Sequence, residues 1–122
     1  MLIDLERLEA TDLPLELAVS AVTMAELAAG PHATRDPAER ARRQDRLRLT
    51  EATFEPLPLD EAVARPYGRV CAAVTSAGRL ARGRRAMELF IAATAVAAGL
   101  PLCTRNPDDF AGLPDLVEIV AV

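Results

Sequence analysis

The stretch Ala86-Met-Glu-Leu-Phe-Ile-Ala-Ala-Thr-Ala-Val-Ala-Ala-Gly-Leu-Pro-Leu-Cys-Thr104 decides the fold class. Residues Ala86 to Ala98 are almost uniformly apolar, so a buried helix is expected, closed by Gly99. Leu100 to Thr104 then reads as a strand, Asp108 to Ala111 as a short helical turn and Leu116 to Val122 as a last strand. Upstream, Asp60 opens a helix through Ala77, with Pro66 near its first turns and Gly78 at its end. Thr53 to Leu59 looks like a strand, pushed to a sheet edge by Pro56 and Pro58. Asp36-Pro37 starts a highly charged helix that runs to Thr50 and is largely solvated or a partner surface. Leu17 to Val22 is short, apolar and β-branched, which suits a buried strand, and Thr23 to Ala29 a helix stopped by Gly30-Pro31. Met1 to Ile3 reads either as a strand end or as part of a helix through Leu8. Strands alternating with helices predict an α/β fold: a three-layer α/β/α sandwich about a mainly parallel sheet.

Composition bounds what such a domain does. The chain has 122 residues, enough for one core, so a single domain over 1–122 is expected. It is 51% hydrophobic and only 3% aromatic, so Ala, Leu and Val fill the interior. The net charge of −4 provides no global basic field for unspecific nucleic-acid binding. All 14 basic residues are Arg, as mutational bias in a GC-rich genome also produces. The longest apolar run, Leu89 to Cys103, is too short to span a membrane and is broken by Gly99 and Pro101. Acids at Asp4 and Glu6 stand where a secretory signal needs basic residues. Cys71 and Cys103 form no Cys-x-x-Cys pair, so two reduced, buried thiols and a cytoplasmic location are expected. The one histidine, His32, lies in a turn, which leaves little for a histidine metal cluster or a serine triad.

The acids are more informative. Glu26 follows the second predicted strand, Glu88 lies in the first turn of the apolar helix, and Asn106, Asp108 and Asp109 follow the strand ending at Thr104. In open α/β sheets the carboxyl edge of the strands is where sites form. Acids converging there from distant positions repel unless a cation sits among them, and hard oxygen donors suit Mg²⁺ or Mn²⁺. Each acid also has a local explanation. Thr23-x-x-Glu26 fits a capping box, Glu88 complements a helix dipole, and Asn106-Pro107-Asp108-Asp109 fits a cap followed by first-turn acids. Spacing alone leaves capping and metal binding both open, and the two are compatible.

At these residues a resemblance emerges. Ser20-Ala-Val-Thr-Met-Ala-Glu-Leu-Ala-Ala-Gly30 resembles the second motif of the PIN-domain ribonucleases, in particular VapC-type toxins of bacterial toxin–antitoxin pairs. Glu88 through Phe110 resembles that family's third and fourth motifs run together, and the likeness extends over nearly the whole chain. Leu2-Ile-Asp-Leu-Glu6 is similar to the stretch after the first motif, so the chain is expected to lack the start of its first strand and the family's leading Asp-Thr-Ser. Glu88 stands where the family usually has Asp.

The resemblance implies a Mg²⁺-dependent endoribonuclease, with Mn²⁺ as an alternative cofactor. Glu26, Glu88 and Asp109 are its metal ligands, Asp4 matches a secondary acid, and Asn106 orients a ligand or water. With Asn106, the first three acids form the implied catalytic set. Arg82, Arg84, Arg85 and Arg105 are candidate RNA contacts, though the basic loop Arg79 to Arg85 reads equally as plain solvated loop. The implied partners are RNA, a VapB-type antitoxin whose tail covers the acidic site, and a second copy of the chain packed through the helix near Asp60 to Ala77. Residues Leu5 to Leu17 and the helix Ala38 to Thr50 would flank the antitoxin groove. The absent leading Asp keeps a second reading open, that of an inactive PIN domain acting only as a binding partner. A flavodoxin-like nucleotide-binding domain is weakened by the lack of a Gly-rich phosphate loop.

Overall fold

The computed structural model describes residues 2–3, 18–76, 78, 84–104, 107–110, 113 and 116–121. Its elements run β1 (Leu2–Ile3), α1 (Ala21–Ala29), α2 (Pro37–Thr53), α3 (Glu61–Ser76), α4 (Arg84–Ala98), β2 (Leu102–Thr104) and β3 (Ile119–Ala121). Two short 3-10 turns, Gly30–Ala33 and Pro107–Phe110, join them. The sheet order is β1-β2-β3, both pairings are parallel, and Leu2 sits opposite Leu102, which in turn faces Ile119. The α/β class and the parallel sheet are as the sequence predicts.

The helix α4 supplies the centre of the core. Leu89, Ile91, Ala92, Ala93 and Ala95 are all buried, and the run of alanines lets neighbouring elements approach its backbone closely. It packs mainly against α3, which presents the stripe Val63, Pro66, Val70 and Val74 at helical spacing. Tyr67 and Phe90 stack across that seam with ring centroids 4.0 Å apart. Gly99, at φ +66°, ends α4 in a left-handed residue. Its N–H donates to Val96 O at 3.1 Å and the Leu100 N–H to Ala95 O at 3.0 Å, the paired bonds of a Schellman closure. Cys103 is buried, Cys71 half-buried, both are free thiols, and burial pushes the Cys103 thiol above its ordinary range.

Four predicted elements change, the last of them the strand expected from Leu116, which begins at Ile119. The strand expected over Leu17 to Val22 gives way after Ser20, because the Ser20 hydroxyl accepts the Thr23 N–H at 3.0 Å and caps α1. A cap of this kind is worth about 1 kcal/mol. The strand expected over Thr53 to Leu59 shrinks to one bridge, Ser20 with Leu57, since Pro56 and Pro58 have no N–H to give. Leu57 bonds to Val19 O and accepts from Ala21 N, both at 2.8 Å. Residues Arg84 and Arg85, expected in a loop, form the start of α4.

The charged helix α2 is held by polar contacts, with Thr50 its one buried residue. Asp36 caps it by accepting the Ala38 N–H at 3.1 Å. Arg40 donates to the carbonyls of Pro31 and Thr34, and Arg43 to that of Gly30, so two guanidinium groups fasten the 3-10 turn after α1 to α2. Arg42 and Arg43 both donate to Glu39, which holds its carboxyl below the usual range. Among the described residues no helix is long and apolar enough to cross a membrane.

Candidate functional site

Glu26 lies in the second turn of α1, since the cap falls at Ser20 rather than at Thr23. That position rules out the capping box as its local explanation: the Thr23 amide is already taken by Ser20 Oγ. The Glu26 side chain is half-buried, with Oε1 closed off from solvent. A half-buried carboxylate is costly unless something compensates its charge, and α1 packs against α4, the helix that carries Glu88.

Glu88 also lies deeper in its helix than the sequence predicts. With α4 starting at Arg84 it falls in the second turn, so the first-turn dipole explanation no longer applies. One turn earlier, Arg85 places Nη1 3.1 Å from Glu88 Oε2, both side chains being about three-quarters buried (22% and 24% exposed). The same nitrogen donates to the backbone carbonyl of Asp109. Arg85 is thus committed to two contacts inside the protein rather than waving from a solvated loop.

Asp109 is carried by the 3-10 turn that follows β2, beside the exposed Asp108. The next residue, Phe110, is 1% exposed and anchors that turn in the core. The turn after β2 packs on α4 and is tied to its first turn through Arg85, and α1 packs on α4 as well. Asp4, Arg82, Arg105 and Asn106 lie outside the described residues, as does the side chain of Arg84.

Among the described residues no three of His, Cys, Asp and Glu stand close enough together to hold a metal ion. The donors that are present, carboxylate oxygens on packed elements, have the chemistry of a hard divalent cation and not of zinc or copper. What sequence reasoning missed is the clamp made by Arg85. Its signal was legible: an Arg three residues before a Glu on one helix face is a ready ion pair.

A family pattern described as PIN domain matches residues 3–116. The chain is 38% identical to Ribonuclease VapC4 of Mycobacterium tuberculosis over 108 residues, covering 88% of this chain and 78% of that protein. Among solved structures, it is similar to the VapBC family toxin–antitoxin member VapBC-5 from Mycobacterium tuberculosis, with TM-score 0.83, 35% identity and coverage of 99% and 97% of the two chains. It is also similar to FitAcB from Neisseria gonorrhoeae, with TM-score 0.73, 25% identity and coverage of 98% and 95%.

Proposed function

The chain belongs to the PIN-domain family, and from that premise we propose that it is a Mg²⁺- or Mn²⁺-dependent endoribonuclease toxin neutralised by a VapB-type antitoxin. The observation that carries the reading is the acid pair Glu26 and Glu88 on two packed helices, neither needed as a helix cap. Beside them stands the turn of Asp109, tied to Glu88 through Arg85.

In this reading Glu26, Glu88 and Asp109 would serve the cation directly or through water, with Asp4 completing the charge and Asn106 orienting a water. A bound Mg²⁺ or Mn²⁺ supplies a water of lowered pKa and neutralises charge on the phosphate in the transition state. The chain's own part is electrostatic and geometric. Glu26 and Glu88 would present carboxylates in partly dehydrated places, where a cation is attracted more strongly than in bulk water, with Arg85 offsetting part of the Glu88 charge. Arg82, Arg84 and Arg105 are the remaining candidates for RNA phosphate contacts. An acidic site on a chain of net charge −4 suits an antitoxin tail bearing basic side chains. A homodimer through the α3 face belongs to the same reading.

The test is RNA cleavage by the full chain in Mg²⁺, in Mn²⁺ and in EDTA, with and without the antitoxin. Cleavage is expected with either cation, is lost in EDTA, returns on adding Mn²⁺ and is suppressed by the antitoxin. A second reading, binding without catalysis, is favoured by the absence of a metal-holding trio among the described residues. A chain that binds its antitoxin yet cleaves no RNA in either cation decides for it.

A further inference from the structure

We infer that Arg85 is a positioning residue of this site, fixing the Glu88 carboxylate and the Asp109 turn relative to each other, rather than a contact for RNA. The inference rests on the nuclease reading above and deepens it. Glu88 and Asp109 sit on separate elements, and nothing in the local sequence sets the distance between them. Arg85 does so with one atom: Nη1 lies 3.1 Å from Glu88 Oε2 and donates to the carbonyl of Asp109, 24 residues further along the chain. The ion pair is formed within one helix face, at i and i+3, so it also restricts the rotamer of Glu88.

Burial separates this role from phosphate binding. The Arg85 side chain is 22% exposed, and leaving its two acceptors to reach an RNA backbone would break an ion pair and a hydrogen bond in a largely buried place. A partner that orients a metal-binding carboxylate acts on the cation through that carboxylate. Removing such a partner typically costs about 10- to 100-fold in metal affinity or activity.

The single-nitrogen geometry makes a further distinction. Where an Arg uses both arms of its fork, Lys is a poor substitute. Here both contacts fall on Nη1, and an ammonium, with three donors on one nitrogen, can make both. Arg85→Lys is therefore expected to retain most of what Arg85→Gln loses.

The experiment measures Mn²⁺ binding by calorimetry without RNA, then kcat, KM and the salt dependence of KM, for wild type, Arg85→Gln and Arg85→Lys. Expected for Arg85→Gln are a Kd for Mn²⁺ raised about 10- to 100-fold, a lowered kcat, and KM with its salt slope unchanged. Arg85→Lys recovers most of the Mn²⁺ affinity. An Arg85→Gln protein with wild-type Mn²⁺ affinity but a raised KM and a shallower salt slope has lost a phosphate contact, and overturns the inference. Should Arg85→Gln not fold, Arg85→Met, which keeps the packing of the stem, carries the same comparison. Wild-type protein that takes up no Mn²⁺ overturns the nuclease reading itself, an outcome distinct from a wild type that binds Mn²⁺ alongside an unaffected variant.

Discussion

Glu26→Gln is expected to lower metal-supported RNA cleavage by at least on the order of 100-fold, since a lost ligand costs no less than a lost outer partner of one. The amide has the shape of the acid, so the packing of α1 on α4 is kept. In metal-free protein the melting temperature is expected to hold or rise, because a charge is removed from a half-buried place. The two readouts together separate the roles of the side chain. A variant with full activity removes Glu26 from the site. A variant that melts well below wild type without metal shows Glu26 to be a structural residue, although Ser20 already fills the cap of its helix.

Phe110→Ala is expected to cost about 3–5 kcal/mol. The ring is 1% exposed and belongs to the core cluster with Leu89, Leu102 and Leu113. A domain of this size commonly has only about 5–15 kcal/mol in total, so one substitution takes a large part of it. Urea unfolding followed by circular dichroism measures the loss as a fall in midpoint at constant slope. A loss under about 1 kcal/mol would mean that the site collapses around the missing ring. Cleavage should also fall at temperatures where the variant is still folded, because Phe110 anchors the turn that carries Asp109.

Much of this was legible in the sequence, and the exceptions have identifiable causes. The apolar run through Ala98 with Gly99 after it predicts both the buried helix and its stop, because uniform apolarity and a left-handed closing residue are each local signals. Leu17 to Val22 misleads because a short apolar run does not separate strand from helix. The decision falls to the Ser20 hydroxyl, whose bond to the Thr23 amide starts the helix early. The prolines at 56 and 58 were read as an edge signal; their missing donors go further and leave one bridge at Leu57. The strand expected from Leu116 begins at Ile119, since the amides of Leu116 and Val117 both turn back to Leu113 O. For the proposed site, Glu26, Glu88 and Asp109 were singled out through residue type and place in the chain. Of the contacts of Arg85, the ion pair with Glu88 had a legible i,i+3 signal, whereas the bond to Asp109 had none, because a backbone carbonyl carries no signature in side-chain sequence.

The shortness of the strands has a kinetic consequence. The α3–α4 pair gathers its contacts from neighbouring stretches of chain, whereas Leu2 meets Leu102 only by closing a loop of nearly the whole molecule. Two- and three-residue ladders return few hydrogen bonds for that closure. The helical pair is therefore expected to be formed at the rate-limiting step and the β1–β2 pairing to follow it. Val70→Ala should then slow folding, while Leu102→Ala mainly speeds unfolding; the reverse pattern in a chevron series would place the nucleus in the sheet. On this ordering, the final joining of β1 to β2 is also the last assembly step before the sheet from which the Asp109 turn departs is complete.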